Sequence, residues 1–171
     1  VFYAVSVGPG DPELLTRQAC RVLEASDIIA APRMKSGRML ALDIAAGMGL
    51  DAHNCEGYIG YADLPGASPT QIATITHLDV VPEGNGWDAD PYTVRVRDGW
   101  LLGRGVADDK GPSILCLYAL KYLKDSGVQL KYPVRALLGA NEETNMHDVD
   151  YYAEHYPMPA FCFTPDAEFP V

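Results

Sequence analysis

The chain has 171 residues, and its 23 acidic and 13 basic side chains give a formal net charge of −10. Hydrophobic residues make up 48% and charged residues 21%, a composition typical of globular proteins and not of disordered or fibrous ones. The excess of carboxylates argues against nucleic acid as a partner, because binding to the phosphate backbone depends on clustered lysine and arginine.

The beginning of the chain predicts a short strand–loop–helix segment. Residues 1–7 form an apolar run that ends at a Gly-Pro-Gly loop, and residues 13–25 carry apolar side chains at helical spacing. A second strand is predicted over residues 28–31 and a further helix over residues 39–48. The first 50 residues hold five acidic and five basic side chains, so the excess negative charge lies in the rest of the chain.

The rest of the chain alternates between strand and helix patterns, and Asp98-Gly99 is a strong signal for a two-residue hairpin turn. The predicted strands cover residues 58–61, 71–76, 92–96, 100–102, 134–138 and 160–163, and the predicted helices cover residues 111–124 and 148–155. This order predicts an α/β fold, with a three-layer, mainly parallel sheet and flanking helices after the strand–loop–helix segment.

Cysteine spacing and hydropathy predict a cytoplasmic protein. The four cysteines lie far apart and form no CxxC pair, which favours reduced thiols over disulfides or a cysteine zinc site. No apolar run approaches the ~20 residues needed to cross a bilayer, and the first residues lack the basic segment and cleavage site of a secretory signal. We therefore expect no membrane partner.

Four polar segments follow predicted strands, and the first three admit more than one interpretation. His77-Leu78-Asp79 places an imidazole and a carboxylate on one face of a strand, where His77 could bind a metal while Asp79 orients its ring. An ordinary strand end is the alternative. Asp108 and Asp109 precede the helix at 111–124, and one of them could bridge two cations or simply cap the helix.

The third and fourth segments add further carboxylates. Glu142 and Glu143 follow the apolar strand 134–138, and their mutual repulsion is relieved if one binds a metal and the other acts as a general base. A solvated acidic loop is the alternative here. Asp166 follows the last predicted strand and offers another oxygen ligand.

Together these segments predict a metal site at the carboxyl ends of the strands, where open α/β sheets bind their ligands. One histidine with several carboxylates and no thiolate suits zinc, manganese or cobalt. So many carboxylates suggest two cations about 3.5–4 Å apart, an arrangement that hydrolases use.

The motifs also resemble those of a known family. Over about residues 57–171 the sequence closely resembles the M20 family of dinuclear zinc peptidases, with the bacterial PepV-type dipeptidases as the nearest branch. The residues that carry the resemblance are HLDVVP at 77–82, GRG at 103–105, DDKG at 108–111, NEET at 141–144 and FTPDAE at 163–168.

The resemblance implies a set of metal ligands. His77 and Asp166 would bind one zinc, Glu143 would bind the other, and Asp108 would bridge the two. Mn²⁺ or Co²⁺ could take the place of Zn²⁺. A cis peptide bond after Asp108 is also implied.

The resemblance further implies a catalytic pair and a substrate class. Glu142 would act as the general base, and Asp79 would orient His77. Asp at position 166 points to the aminopeptidase and dipeptidase branch of the family, so the expected substrate is a dipeptide.

Family members are usually more than twice as long as this chain. They insert a lid domain and then complete the catalytic domain, which contributes a late histidine that binds the second zinc. None of His53, His147 and His155 lies in a matching context. We therefore expect this chain to lack that ligand and the lid.

The beginning of the chain resembles a different family. Residues 5–16 and 25–33 are similar to the start of the tetrapyrrole methylases, with the precorrin-2 C20-methyltransferases, which use S-adenosylmethionine, as the nearest branch. Only about 35 residues are covered, so binding of S-adenosylmethionine is not expected. The predicted domains are a methylase-like fragment at 1–38 and an M20-like catalytic fragment at 39–171.

The predicted function is hydrolysis of dipeptides at a dinuclear zinc site, with Glu142 as general base. Two alternatives stay open. One is a truncated or chimeric domain that binds metal but is catalytically incomplete, and the other is a fragment of an S-adenosylmethionine-dependent precorrin-2 methyltransferase.

Overall fold

The computed structural model describes residues 39–166. The elements predicted within residues 1–38, and the residues after Asp166, lie outside this range. The helices are α1 (Leu40–Gly47), α2 (Lys110–Asp125) and α3 (His147–His155). The strands are β1 (Asp51–Cys55), β2 (Ile59–Leu64), β3 (Ile72–His77), β4 (Arg95–Arg97), β5 (Trp100–Leu102), β6 (Val134–Gly139) and β7 (Phe161–Phe163).

Five strands form the central sheet, in the order β1-β2-β6-β3-β7. β3 pairs in parallel with both β6 and β7, whereas β2 is antiparallel to its neighbours β1 and β6. Four of the five strands therefore run in the same direction. β4 and β5 form a separate hairpin, which turns at Asp98 and Gly99, both with positive φ.

The helices cover both faces of the sheet. On one face α1 and α2 pack on the small and aliphatic side chains of β2 and β6, around Leu117 and Leu138. On the other face Tyr152 of α3 packs with Ile59, Leu137 and neighbouring side chains. Alternate residues of β6 thus contribute to two separate hydrophobic clusters, because successive side chains of a strand point to opposite faces. The predicted α/β class, with its mainly parallel sheet and flanking helices, is confirmed.

One strand was not predicted. β1 has the sequence DAHNC, and only Cys55 of its five residues is buried. It forms a hairpin with β2 through Glu56 and Gly57, both with positive φ. Because β1 lies at the edge of the sheet, its side chains need not alternate between apolar and polar. Within residues 39–166 no helix has the length and hydropathy needed to cross a membrane.

Candidate metal centre

The sheet brings the four polar segments to one edge. His77 is the last residue of β3, the loop that carries Glu142 and Glu143 follows β6, and Asp166 lies three residues after β7. These three strands are parallel neighbours, so their carboxyl ends meet. Asp108 lies just before α2, which packs against β3 and β6.

The His77 ring lies at the centre of this group. The residue is only 2% exposed, and its Nε2 lies 3.0 Å from Asp108 Oδ1, 3.3 Å from Asp166 Oδ2 and 3.7 Å from Glu142 Oε2. Nε2 has no hydrogen-bond partner in the part of the chain that the structure describes. A buried ring nitrogen that faces several carboxylate oxygens without a hydrogen bond is in a suitable position to bind a cation.

The rest of His77 is held in place by its neighbours. Nδ1 lies 3.1 Å from the backbone carbonyl oxygen of Asp79 and 3.3 Å from Asp79 Oδ1. The backbone N–H donates to Asp109 Oδ2 at 3.0 Å, and the carbonyl accepts from Ser113 Oγ at 3.1 Å. A fixed partner on Nδ1 leaves Nε2 as the free ring nitrogen, as is usual for histidines that bind metals.

The electrostatics of the group reflect many carboxylates in a small space. Burial opposes protonation of His77, but the charges of Asp79, Asp166, Asp109 and Glu142 outweigh burial and raise its pKa above the ordinary value. Burial also raises the pKa of Glu142; the charge of His77 opposes that rise and the neighbouring carboxylates add to it. Such crowding favours binding of a cation, which would reduce the repulsion between the carboxylates.

Asp108 and Asp109 are joined by a cis peptide bond, as the resemblance implied. Asp109 occupies the N-cap position of α2, yet within the described residues its side chain makes no capping hydrogen bond. Its carboxylate is fully buried and accepts from His77 instead, and burial raises its pKa to about 6. The helix-cap interpretation of this side chain is therefore wrong.

The start of α2 also depends on a glycine. A Cβ at Gly111 would lie 2.0 Å from the carbonyl oxygen of Val106, so only glycine permits this approach of the helix to the preceding loop. Asp108 and Asp109 lie between these two residues. The close contact therefore helps to fix where the two carboxylates enter the candidate metal centre.

Asp79 holds the backbone of the acidic pair, Glu142 and Glu143. Its Oδ1 accepts from the backbone N–H of Glu142 at 3.2 Å, and its Oδ2 accepts from that of Glu143 at 3.1 Å. Glu143 Oε1 in turn accepts from the backbone N–H of Val81 at 3.2 Å. Asp79 therefore contacts both the expected metal ligand His77 and the backbone of the acidic pair.

Within residues 39–166, two groups of side chains could hold a cation. His77, Asp108 and Glu143 form one, and His77, Asp109 and Asp166 form the other; in each the potential ligand atoms lie within 4.8 Å of one another. The structure thus brings together the residues that the sequence analysis singled out, and it makes both Asp108 and Asp109 potential ligands. His77 Nε2, which no other described residue hydrogen-bonds, and the oxygen-rich donor set fit a divalent metal ion.

A cleft of about 220 Å³ opens beside this group. Its walls combine apolar side chains of β3 and α3 with the polar residues of the candidate centre. The lining residues are Ile75, Thr76, His77, Gly139, Glu142, Met146, Asp148, Val149, Thr164 and Asp166.

Comparison with known proteins decides the family. The sequence profile of peptidase family M20/M25/M40 matches residues 73–168, more than half of the chain. The chain belongs to this family. A β-Ala-Xaa dipeptidase of Lactobacillus delbrueckii subsp. lactis is 42% identical over 131 residues, which are 76% of this chain and 28% of that protein. The chain therefore spans little more than a quarter of the length of this M20 relative.

Solved structures share the fold. Human carnosine dipeptidase 1 superposes with a TM-score of 0.60 at 21% identity, over 76% of this chain and 32% of that one. An M20 family metallo-carboxypeptidase of Sulfolobus solfataricus also has a TM-score of 0.60, at 20% identity, over 72% of this chain and 30% of that one. These likenesses establish the architecture of an M20 peptidase domain.

A second family matches the beginning of the chain. The profile of the tetrapyrrole methylases covers residues 1–56, which confirms the resemblance noted there. This match extends over α1, which packs against the central sheet, and over β1, which is a strand of that sheet.

Proposed function

We propose that this chain carries metal-binding and general-base residues for the hydrolysis of dipeptides at a dinuclear zinc site. The observation that carries the proposal is the convergence of Asp108, Asp166 and Glu142 on the buried Nε2 of His77, which has no hydrogen-bond partner among residues 39–166. The similarity to a β-Ala-Xaa dipeptidase supports a dipeptide as the substrate class.

His77, Asp108, Glu143 and Asp166 would hold the metal ions, with Asp108 as the ligand that both would share. A bound divalent cation supplies the positive charge that polarises a peptide carbonyl and lowers the pKa of water. The four proposed ligands extend from the ends of three parallel strands and from the segment before α2, which supports a common site for them. Carboxylates with imidazole and no thiolate suit Zn²⁺, Mn²⁺ or Co²⁺.

Glu142 is the proposed general base. Its carboxylate lies at the rim of the group, 3.7 Å from His77 Nε2, and it lines the cleft. It would take a proton from the attacking water and deliver it to the nitrogen of the leaving amine. A raised pKa suits this exchange, because a base must hold the proton and then release it.

Asp79 has a positioning role in this proposal. It keeps the His77 ring in orientation through Nδ1, and it holds the backbone from which the Glu142 and Glu143 side chains extend. Neither task requires contact with the substrate.

We also propose that the peptidase-like unit begins at residue 39 and that residues 1–38 form a separate methylase-like fragment. The support is α1, whose Ala41, Leu42 and Ala45 are buried against the peptidase-like sheet.

We propose a cytoplasmic location as well, which the free thiols at Cys55, Cys116 and Cys162 support.

The experiment is a metal count on the purified chain, combined with dipeptide hydrolysis in the presence of Zn²⁺, Mn²⁺ or Co²⁺. We expect Glu142→Gln to keep the bound metal and to lower hydrolysis by about 10²–10⁴-fold. Glu154→Gln, an exposed substitution on α3, is the control and should leave both unchanged.

Other outcomes distinguish the remaining hypotheses. No zinc above background and no hydrolysis with any of the three cations would contradict the proposal. A stoichiometry near one metal without turnover would favour a domain that binds metal but is not catalytic. Calorimetry with S-adenosylmethionine tests the methylase hypothesis, for which we expect no binding.

A further inference from the structure

Asp148 lies in the first turn of α3 and is only 2% exposed. Its Oδ2 accepts from the backbone N–H groups of Ala140 at 2.6 Å and Asn141 at 3.1 Å, and its Oδ1 accepts from that of Val149 at 2.8 Å. The carboxylate therefore points back at the end of β6 and not into solvent. Asp150, in the same helical turn, is exposed.

The end of β6 is shaped to admit this carboxylate. A Cβ at Gly139 would lie 2.7 Å from Asp148 Oδ2, a distance shorter than van der Waals contact. A residue with a side chain at position 139 would therefore push the carboxylate away from the loop. Glycine leaves room for Asp148 to reach the two N–H groups that follow.

Two carboxylates thus hold one continuous stretch of backbone. The N–H groups of residues 140 and 141 donate to Asp148, and those of residues 142 and 143 donate to Asp79. Asp79 reaches the stretch from the segment after β3, whereas Asp148 reaches it from α3. The Glu142 and Glu143 side chains extend from backbone that is fixed at both ends.

The helix that carries Asp148 is itself anchored in the core. Tyr152, one turn further along α3, is buried, and its hydroxyl contacts the guanidinium of Arg135 on β6. The carboxylate of Asp148 therefore has a fixed position relative to the sheet.

We propose that Asp148 is a positioning residue of the candidate metal centre, because it holds residues 140 and 141 and thereby sets the place of Glu142 and Glu143. The effect on metal binding rests on the proposed function. The hold on the loop does not, so the two can be tested separately.

The first test needs no metal. Amide hydrogen exchange of the metal-free 171-residue chain is compared between the unsubstituted protein, Asp148→Ala and the control Asp150→Ala. We expect exchange at residues 140–143 to become about tenfold faster in Asp148→Ala, since residues 140 and 141 lose hydrogen bonds to a charged acceptor and residues 142 and 143 are then held at one end only. Unchanged exchange at residues 142 and 143 would overturn the inference.

The second test measures affinity for Co²⁺ by visible absorption. Asp148→Ala should weaken Co²⁺ binding by about tenfold, as is typical when residues that orient metal ligands are removed. Asp148→Asn should weaken it less, because its carbonyl oxygen can accept both N–H groups. Asp150→Ala and Asp150→Asn should leave the affinity unchanged.

The outcomes separate the inference from the proposed function. If the unsubstituted chain binds no Co²⁺, the proposed function fails, and the exchange rates still decide whether Asp148 holds the loop. If Asp148→Ala lowers the melting temperature but leaves the Co²⁺ affinity unchanged, Asp148 is merely structural and the inference is overturned. If Asp148→Ala does not fold, Asp148→Asn carries both tests against Asp150→Asn, and equal exchange or equal affinity overturns the inference.

Discussion

Asp63 and Arg135 face each other across the antiparallel strands β2 and β6 and form two hydrogen bonds, from Nε to Oδ1 at 2.8 Å and from Nη2 to Oδ2 at 2.6 Å. The guanidinium also lies 3.6 Å from the centre of the Tyr61 ring and contacts the Tyr152 hydroxyl. A charged pair is thereby built into the cluster between α3 and the sheet. Both groups are satisfied only while the two strands keep their register.

Asp63→Asn should lower the free energy of unfolding by about 3 kcal/mol, because it leaves the mostly buried Arg135 without its counter-charge. Urea denaturation of the metal-free chain measures the effect. Asp51→Asn is a matched control, since Asp51 pairs with Asp63 in the sheet register but is exposed. Equal stability of the two variants would show that the pair contributes little.

Asp79→Asn should weaken Co²⁺ binding by about 10–100-fold, because an amide cannot accept from both Glu142 and Glu143 while also facing His77 Nδ1. A competition titration with a chelator measures the affinity. The control is Asp90→Asn, whose carboxylate also accepts two hydrogen bonds but outside the candidate metal centre. An affinity equal to that of the unsubstituted chain would remove Asp79 from the site.

Gly60→Ala should destabilise the chain by about 1–3 kcal/mol, because the added Cβ would lie 2.9 Å from Leu42 Cδ2 and push α1 off the sheet. Gly47→Ala is the opposite case. An added Cβ there meets no atom of the described residues within 4 Å, and alanine in a helix should stabilise the chain by about 0.5–1 kcal/mol. Thermal unfolding of both variants checks the pair, and a shift of the same sign in both would contradict the packing described for α1.

The hairpin should respond to acid through Asp88. Hydrogen bonds from Arg95 and Arg97, each at 2.7 Å, lower the pKa of Asp88 to about 2. Because the pKa of Asp88 is lowered in the folded state, the ionised carboxylate stabilises the fold fully above pH ~4, and this stabilisation is lost as the pH falls towards 2. Carboxyl NMR titration should place the midpoint near 2, and Arg97→Gln should raise it. A midpoint that Arg97→Gln leaves in place would show that the contact does not persist in solution.

Three elements of the fold were the easiest to predict. β6 is an almost continuous apolar run, α2 has helical spacing of apolar residues, and Asp98-Gly99 has the backbone freedom that a two-residue turn requires. Each of these signals is local to its own segment. β1 carries no such signal, because an exposed edge strand is defined by its pairing with β2 and not by its own side chains.

The residues of the candidate site also fall into those that the sequence predicts and those that only the fold reveals. Residues such as His77 and Glu142 stand out because their types and spacing suggest chemistry. Asp109 stands out only as an alternative to Asp108, and Asp148 does not stand out, since an acidic residue near the start of a helix is most simply explained as a cap or a solvated charge. Their contacts join residues that are 32 and 7 or 8 positions apart, and only the folded sheet brings these groups together.

The two carboxylates that hold residues 140–143 also limit what this loop can offer a reaction. Peptide hydrolysis places negative charge on the former carbonyl oxygen, and many hydrolases stabilise that oxyanion with free backbone N–H groups. Here all four consecutive N–H groups already donate to Asp148 or Asp79. These four N–H groups are therefore not available to stabilise an oxyanion, and in the proposed reaction that role falls to groups outside residues 140–143.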